Sequence, residues 1–89
     1  MITTLNACWK NQISDECLVA ILKGERDFSG FEPQIGMLFN SVSLEQLCRF
    51  CLKYGICWQR LADCYKKAKL IGSTSKAFEK WITEMGAVL

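Results

Sequence analysis

Apolar residues recur along the chain at three- and four-residue steps, the period of a helix that packs one face on a core, and strand-like alternation is hard to find. The pattern is clearest from Ser43 onward. Ser43 and Gln46 have the S-x-x-Q spacing of a capping box, and Val42 and Leu47 stand where a hydrophobic staple closes around such a cap. Leu44, Leu47, Cys48 and Cys51 then make an apolar stripe, with Glu45, Gln46, Arg49 and Lys53 opposite, and Gly55 supplies a left-handed stop. Beyond a short turn at Ile56 and Cys57, the spacing of Trp58, Leu61, Ala62, Tyr65 and Ala68 predicts a second amphipathic helix. Its polar face carries Gln59, Arg60, Asp63, Lys66 and Lys67. Gly72-Ser73-Thr74-Ser75 breaks that helix, and Phe78, Trp81, Ile82 and Met85 define a third, ended by Gly86.

The first half is less regular. Ser14 is placed to cap a helix whose first turn holds Asp15 and Glu16, with Ile13 and Leu18 spaced as a staple. The body of that helix, residues 17–22, is apolar on nearly every side, the signature of a central helix covered on several faces. Residues 24–30 read as a loop holding charged residues and Phe28. Pro33 suits the first turn of a short helix through Phe39, weakened by Gly36. A further short helix before Ser14 would turn Leu5, Cys8 and Trp9 inward. The expected fold is therefore all-α, a compact bundle of four to five short helices.

Composition sharpens this to a single domain over residues 1–89. The chain is 51% hydrophobic and 22% charged with the two mixed throughout, which leaves no room for a second core and does not match a disordered segment. The first ten residues lack the basic start and unbroken apolar stretch of a secretory signal, and the longest apolar run, residues 17–22, is far short of a membrane span. A cytoplasmic protein without a membrane partner is expected.

Six cysteines in 89 residues would suggest disulfides in an exported chain. Here Cys17, Cys48, Cys51 and Cys64 fall among apolar residues at helical spacing, where a reduced thiol acts as a small hydrophobe. Four thiolates, Cys48, Cys51, Cys57 and Cys64, could close a tetrahedral zinc site. The C-x2-C pair shares its stripe with Leu44 and Leu47, however, and no second C-x2-C follows, so core cysteines are the preferred reading and no metal or cofactor is expected.

The chain has no histidine, which removes the commonest general base and the usual partner of a Cys or Ser nucleophile. Carboxylates are scattered over polar faces, with no pair set against an apolar pocket. Gly72-Ser73-Thr74-Ser75-Lys76 lacks the order of a phosphate-binding loop and follows a helix instead of a strand. A non-enzymatic protein is expected.

Charge is unevenly distributed. Residues 1–43 carry three basic and five acidic side chains, a net of −2, whereas residues 44–89 carry eight basic and four acidic ones, a net of +4. The candidate binding residues are accordingly Arg60, Lys66, Lys67, Lys69, Ser73, Thr74, Ser75, Lys76 and Lys80, gathered around the second and third of the well-defined helices.

These three helices, with Trp58-x-x-Leu61-Ala62 on the second and Ser75 through Trp81 to Leu89 on the third, resemble in general outline the helix-turn-helix DNA readers over about half the chain. The resemblance implies a third helix in the major groove, with the hydroxyls and amides at its start on phosphate. The departure is the connection. That motif joins its helices by a tight turn, while here the second helix continues through Lys66-Lys67-Ala68-Lys69 before Gly72.

Two functions follow as expectations. The first is a small helical protein-binding module, an adaptor, inhibitor or regulator of the kind often encoded by phages and other mobile elements. An inhibitor of a nucleic-acid-handling or bacterial immunity complex fits this description. Trp9, Phe28, Phe31, Trp58 and Trp81 are the candidate interface anchors, of which one or two should be exposed. The alternative is a DNA-binding transcriptional regulator using the basic C-terminal half, with a homodimer as its natural form.

Overall fold

The computed structural model describes residues 13–40 and 42–89. All regular structure among them is helical: α1 (Asp15–Leu22), α2 (Glu32–Asn40), α3 (Leu44–Tyr54), α4 (Trp58–Leu70) and α5 (Lys76–Glu84). The short helix expected before Ser14, with Leu5, Cys8 and Trp9, lies outside the described residues.

Three serines start three of these helices in the same way. The Oγ atoms of Ser14, Ser43 and Ser75 accept the backbone N–H of Cys17, Gln46 and Phe78 at 3.1, 3.2 and 3.2 Å. Each bond satisfies one of the amides that a helix start leaves unpaired, a cap worth about 1 kcal/mol. At the other end of α3, Gly55 takes the left-handed conformation (φ 68°, ψ 34°) that the sequence calls for.

The centre of the bundle is α4, which packs against both α1 and α2. Leu61, Ala62, Tyr65 and Ala68 are fully buried along it, and Leu22, Ile35, Leu38, Leu47, Phe50, Phe78 and Ile82 close over the same core. Phe39, Tyr65 and Phe78 form a ring cluster that ties α2, α4 and α5 together, with centroids 4.7 to 5.1 Å apart. Such contacts add about 0.5–1.5 kcal/mol per pair beyond burial. A second pair, Trp58 edge-on to Trp81 at 5.4 Å, holds the start of α4 against α5.

Three details differ from the sequence pattern. The central helix is α4, not α1: α1 buries Leu18, Ile21 and Leu22 but leaves Cys17, Val19 and Ala20 half-buried, because an eight-residue helix offers only two turns to its neighbours. The buried stripe of α3 is Leu47, Phe50 and Cys51, with Leu44 and Cys48 half-buried. Phe50 completes it, stacked at a tilt on Tyr54. Met85, assigned to the inner face of the last helix, is exposed.

The glycine inside α2 has a packing reason. A Cβ on Gly36 would lie 2.8 Å from Ser73 Oγ, so the missing side chain lets the α4–α5 connection close onto α2.

Candidate functional site

Arg60 and Lys67 are seven residues apart on α4, two helical turns, and therefore stand on one line along its surface, with Asp63 and Cys64 between them. This line faces the loop that follows α1. Lys23 and Gly24 end α1, with the Gly24 N–H donating to the Ile21 carbonyl and the Glu25 N–H to that of Ala20, the paired bonds of a Schellman stop. Gly24 has φ +78°, and a Cβ there would come within 3.3 Å of Arg60 Nη1. The bare glycine lets the guanidinium reach under the loop, where Nη1 donates to the Lys23 carbonyl.

The rest of the loop is also held. Asp27 Oδ1 accepts the Ser29 N–H at 2.7 Å and Oδ2 the Ser29 hydroxyl at 3.0 Å, while the Phe31 N–H donates to the Phe28 carbonyl at 2.8 Å. Arg26 lies over the Phe31 ring, 5.5 Å from its centroid.

Between this loop and α4 lies a cleft of about 610 Å³. Ile21, Phe28 and Cys64 contribute its apolar lining. Arg26, Arg60, Lys66 and Lys67 bring four positive charges to it, against two negative ones from Asp27 and Asp63. Lys66 pairs with Asp63 at 3.4 Å, and Lys67 makes no hydrogen bond or ion pair among the described residues. Both carboxyls are held below their ordinary values. Asp27 is held by the Ser29 amide and hydroxyl, and Asp63 by the Gln59 side chain, then by Lys66, with Lys67 adding its field to each.

Of the nine candidate residues, the structure gathers only Arg60, Lys66 and Lys67 here. Lys69 falls on the opposite side of α4, where Nζ pairs with Glu79 Oε2 at 3.0 Å. Ser73 is set against Gly36, and the Ser75 hydroxyl is the N-cap of α5. Thr74, Lys76 and Lys80 are exposed around that helix start. The Tyr65 hydroxyl accepts the Ser75 N–H and donates to Glu79 Oε2, both at 2.7 Å, so the first turn of α5 already holds a carboxylate of its own.

Sequence reasoning singled out Phe28 as a candidate anchor but missed Arg26 and Asp27 beside it. The signal available was the charged and aromatic run bounded by Gly24 and Gly30, but periodicity does not say which helix a loop faces. None of the four described aromatic anchors is fully exposed. Phe28, Phe31, Trp58 and Trp81 are all half-buried and packed on the core, and Trp9 lies outside the described residues.

The described cysteines are free thiols: Cys51 and Cys64 buried, Cys17 and Cys48 half-buried, Cys57 exposed. Burial pushes the Cys51 and Cys64 thiols up to about 12, which keeps them protonated and apolar at neutral pH. Among the described residues no group of three or more Cys, Asp or Glu side chains is placed to hold a metal ion, and no helix is long and apolar enough to cross a membrane. Comparison with protein-family models, curated proteins and solved structures finds no match for the chain.

Proposed function

We propose that this chain is a non-enzymatic protein-binding module, an adaptor, inhibitor or regulator that acts by covering part of a partner's surface. The observation that carries the reading is the make-up of the cleft. Two arginines and two lysines from distant segments surround apolar groups and an aromatic ring, with two carboxylates set among them. Arginine and aromatic groups around a partly apolar centre are the composition of protein interfaces. A continuous positive stripe would suit a phosphate backbone better. Exposed Leu70 and Ile71, 87% and 51% accessible at the end of α4, add apolar surface of the kind a protein partner covers.

The test is affinity purification of the tagged chain from the cells in which it occurs, followed by the same capture with Lys67→Glu. A retained protein partner that is lost with the variant supports the reading. Recovery of the chain alone, or only as a self-dimer, counts against it.

The DNA-reading alternative draws on exposed Thr74, Lys76 and Lys80 around the start of α5. It requires duplex binding that weakens steeply with salt and is lost on Lys76→Glu or Lys80→Glu.

A further inference from the structure

Resting on that protein-binding reading, we infer that the cleft between residues 24–28 and α4 receives an extended acidic segment of a partner protein, carrying at least one large apolar side chain between its carboxylates. The four cations outnumber the two carboxylates, so the cleft is complementary to a segment of net negative charge. Its volume, about 610 Å³, lies in the range of roughly 300–1,000 Å³ for sites that enclose a ligand, large enough for more than one anionic group.

The two arginines are prepositioned. Arg60 is anchored to the Lys23 carbonyl by one of its five N–H donors and Arg26 lies on the Phe31 ring, so little rotamer freedom is lost when the remaining donors meet a carboxylate. Lys67, without an ion pair of its own among the described residues, is the cation most available for one. The apolar side chain of the segment would lie against Phe28 and Ile21.

Asp27 and Asp63 discriminate against nucleic acid. Each strand of duplex DNA carries a phosphate per about 3.4 Å of helix axis, an unbroken row of charge that would be set against both carboxylates if it lay in the cleft. A peptide spaces its carboxylates and brings backbone N–H groups that either aspartate can accept. Both aspartates are charged at neutral pH, and the hydrogen bonds from Ser29 and Gln59 fix where those charges sit.

The experiment is selection of a displayed random dodecapeptide library on the immobilised full chain, followed by titration of a synthetic peptide from the enriched pool. Enriched peptides should be acidic with an interposed large apolar residue. Affinity should fall about tenfold or more on Lys67→Glu and stay nearly unchanged on Lys80→Glu, with circular dichroism confirming that both variants fold. Enriched peptides without acidic bias, or with binding indifferent to Lys67→Glu, overturn the cleft assignment while leaving the protein-binding reading intact. Absence of any enrichment overturns the assignment as well. A duplex DNA oligonucleotide that binds the chain and is lost on Lys67→Glu overturns both.

Discussion

The side-chain amide of Gln59 grips the backbone of Val88 from both sides: Oε1 accepts the Val88 N–H at 2.8 Å and Nε2 donates to the Val88 carbonyl at 2.9 Å. The same Nε2 donates to Asp63 Oδ1 at 3.1 Å, so one residue at the start of α4 fastens the C-terminal segment and orients a carboxylate of the cleft. With carboxyls ionised at neutral pH, a side-chain amide is the group that supplies a donor and an acceptor side by side in this way. Gln59→Glu keeps an acceptor for the Val88 N–H but sets a carboxylate against the Val88 carbonyl and against Asp63. The expected cost is about 1–3 kcal/mol, the range for leaving such groups opposed or unpaired. Hydrogen exchange at the Val88 amide should accelerate clearly in this variant; unchanged protection would show that the clamp does not hold in solution.

Tyr65 and Glu79 give the fold a dependence on pH at both extremes. The Tyr65 hydroxyl is pushed up by burial and by its hydrogen bond to Glu79, and the Glu79 carboxyl is held down by that bond and by Lys69. Glu79 is lowered in the folded state, so its contribution is present above its ordinary value of 4.5 and is lost as pH falls through the lower, folded value. Tyr65 is raised, so its contribution is present below 10 and is lost as pH climbs through the higher, folded value. Melting temperature against pH should therefore decline at both ends. Glu79→Gln should flatten the acid limb and Tyr65→Phe the alkaline one. An acid limb unaffected by Glu79→Gln would assign it to other carboxylates.

How much of this was legible in the sequence follows from the range of each interaction. The caps at Ser14, Ser43 and Ser75 and the stop at Gly55 are formed between residues a few positions apart, so local spacing reports them. The core faces of α4 and α5 follow from periodicity for the same reason. The cleft does not: Gly24, Arg26 and Phe28 meet Arg60 and Lys67 across more than thirty residues, and only the packing of α1 on α4 brings them together. The basic set was likewise visible as a list but not as a surface. The helical repeat places Lys69 across α4 from Arg60 and Lys67, and Glu79, a turn into α5, binds it.

The close approach of Gly36 and Ser73 joins two features that read separately as a helix weakener and a candidate binding hydroxyl. Gly36→Ala gains helix propensity, about 1 kcal/mol in an open helix, but places its Cβ 2.8 Å from Ser73 Oγ. The serine hydroxyl must rotate or the connection must shift. In a Ser73→Ala background the obstructing oxygen is gone and the propensity gain should emerge. Denaturant titration of the two single variants and the double should give a coupling of about 0.5–2 kcal/mol, with the double variant more stable than the sum of the singles. Strict additivity would mean that Ser73 does not stand against α2.

Thiol reactivity offers a direct check on which cysteines belong to the core. A thiol raised to about 12, as for Cys51 and Cys64, is a thiolate only about one part in ten thousand at pH 8, and burial also bars the reagent. Cys57 is exposed at the start of α4. With iodoacetamide at pH 8 and peptide mapping by mass spectrometry, Cys57 should be modified first among these three. Cys51 and Cys64 should react only at the rate at which the bundle opens, and denaturant should bring all three to similar rates. Cys64 has a further use, since it lines the cleft: a bound acidic segment should slow its modification in native conditions. Modification of Cys64 as fast as that of Cys57 would mean that the loop stands away from α4 and that the cleft between them is not formed in solution.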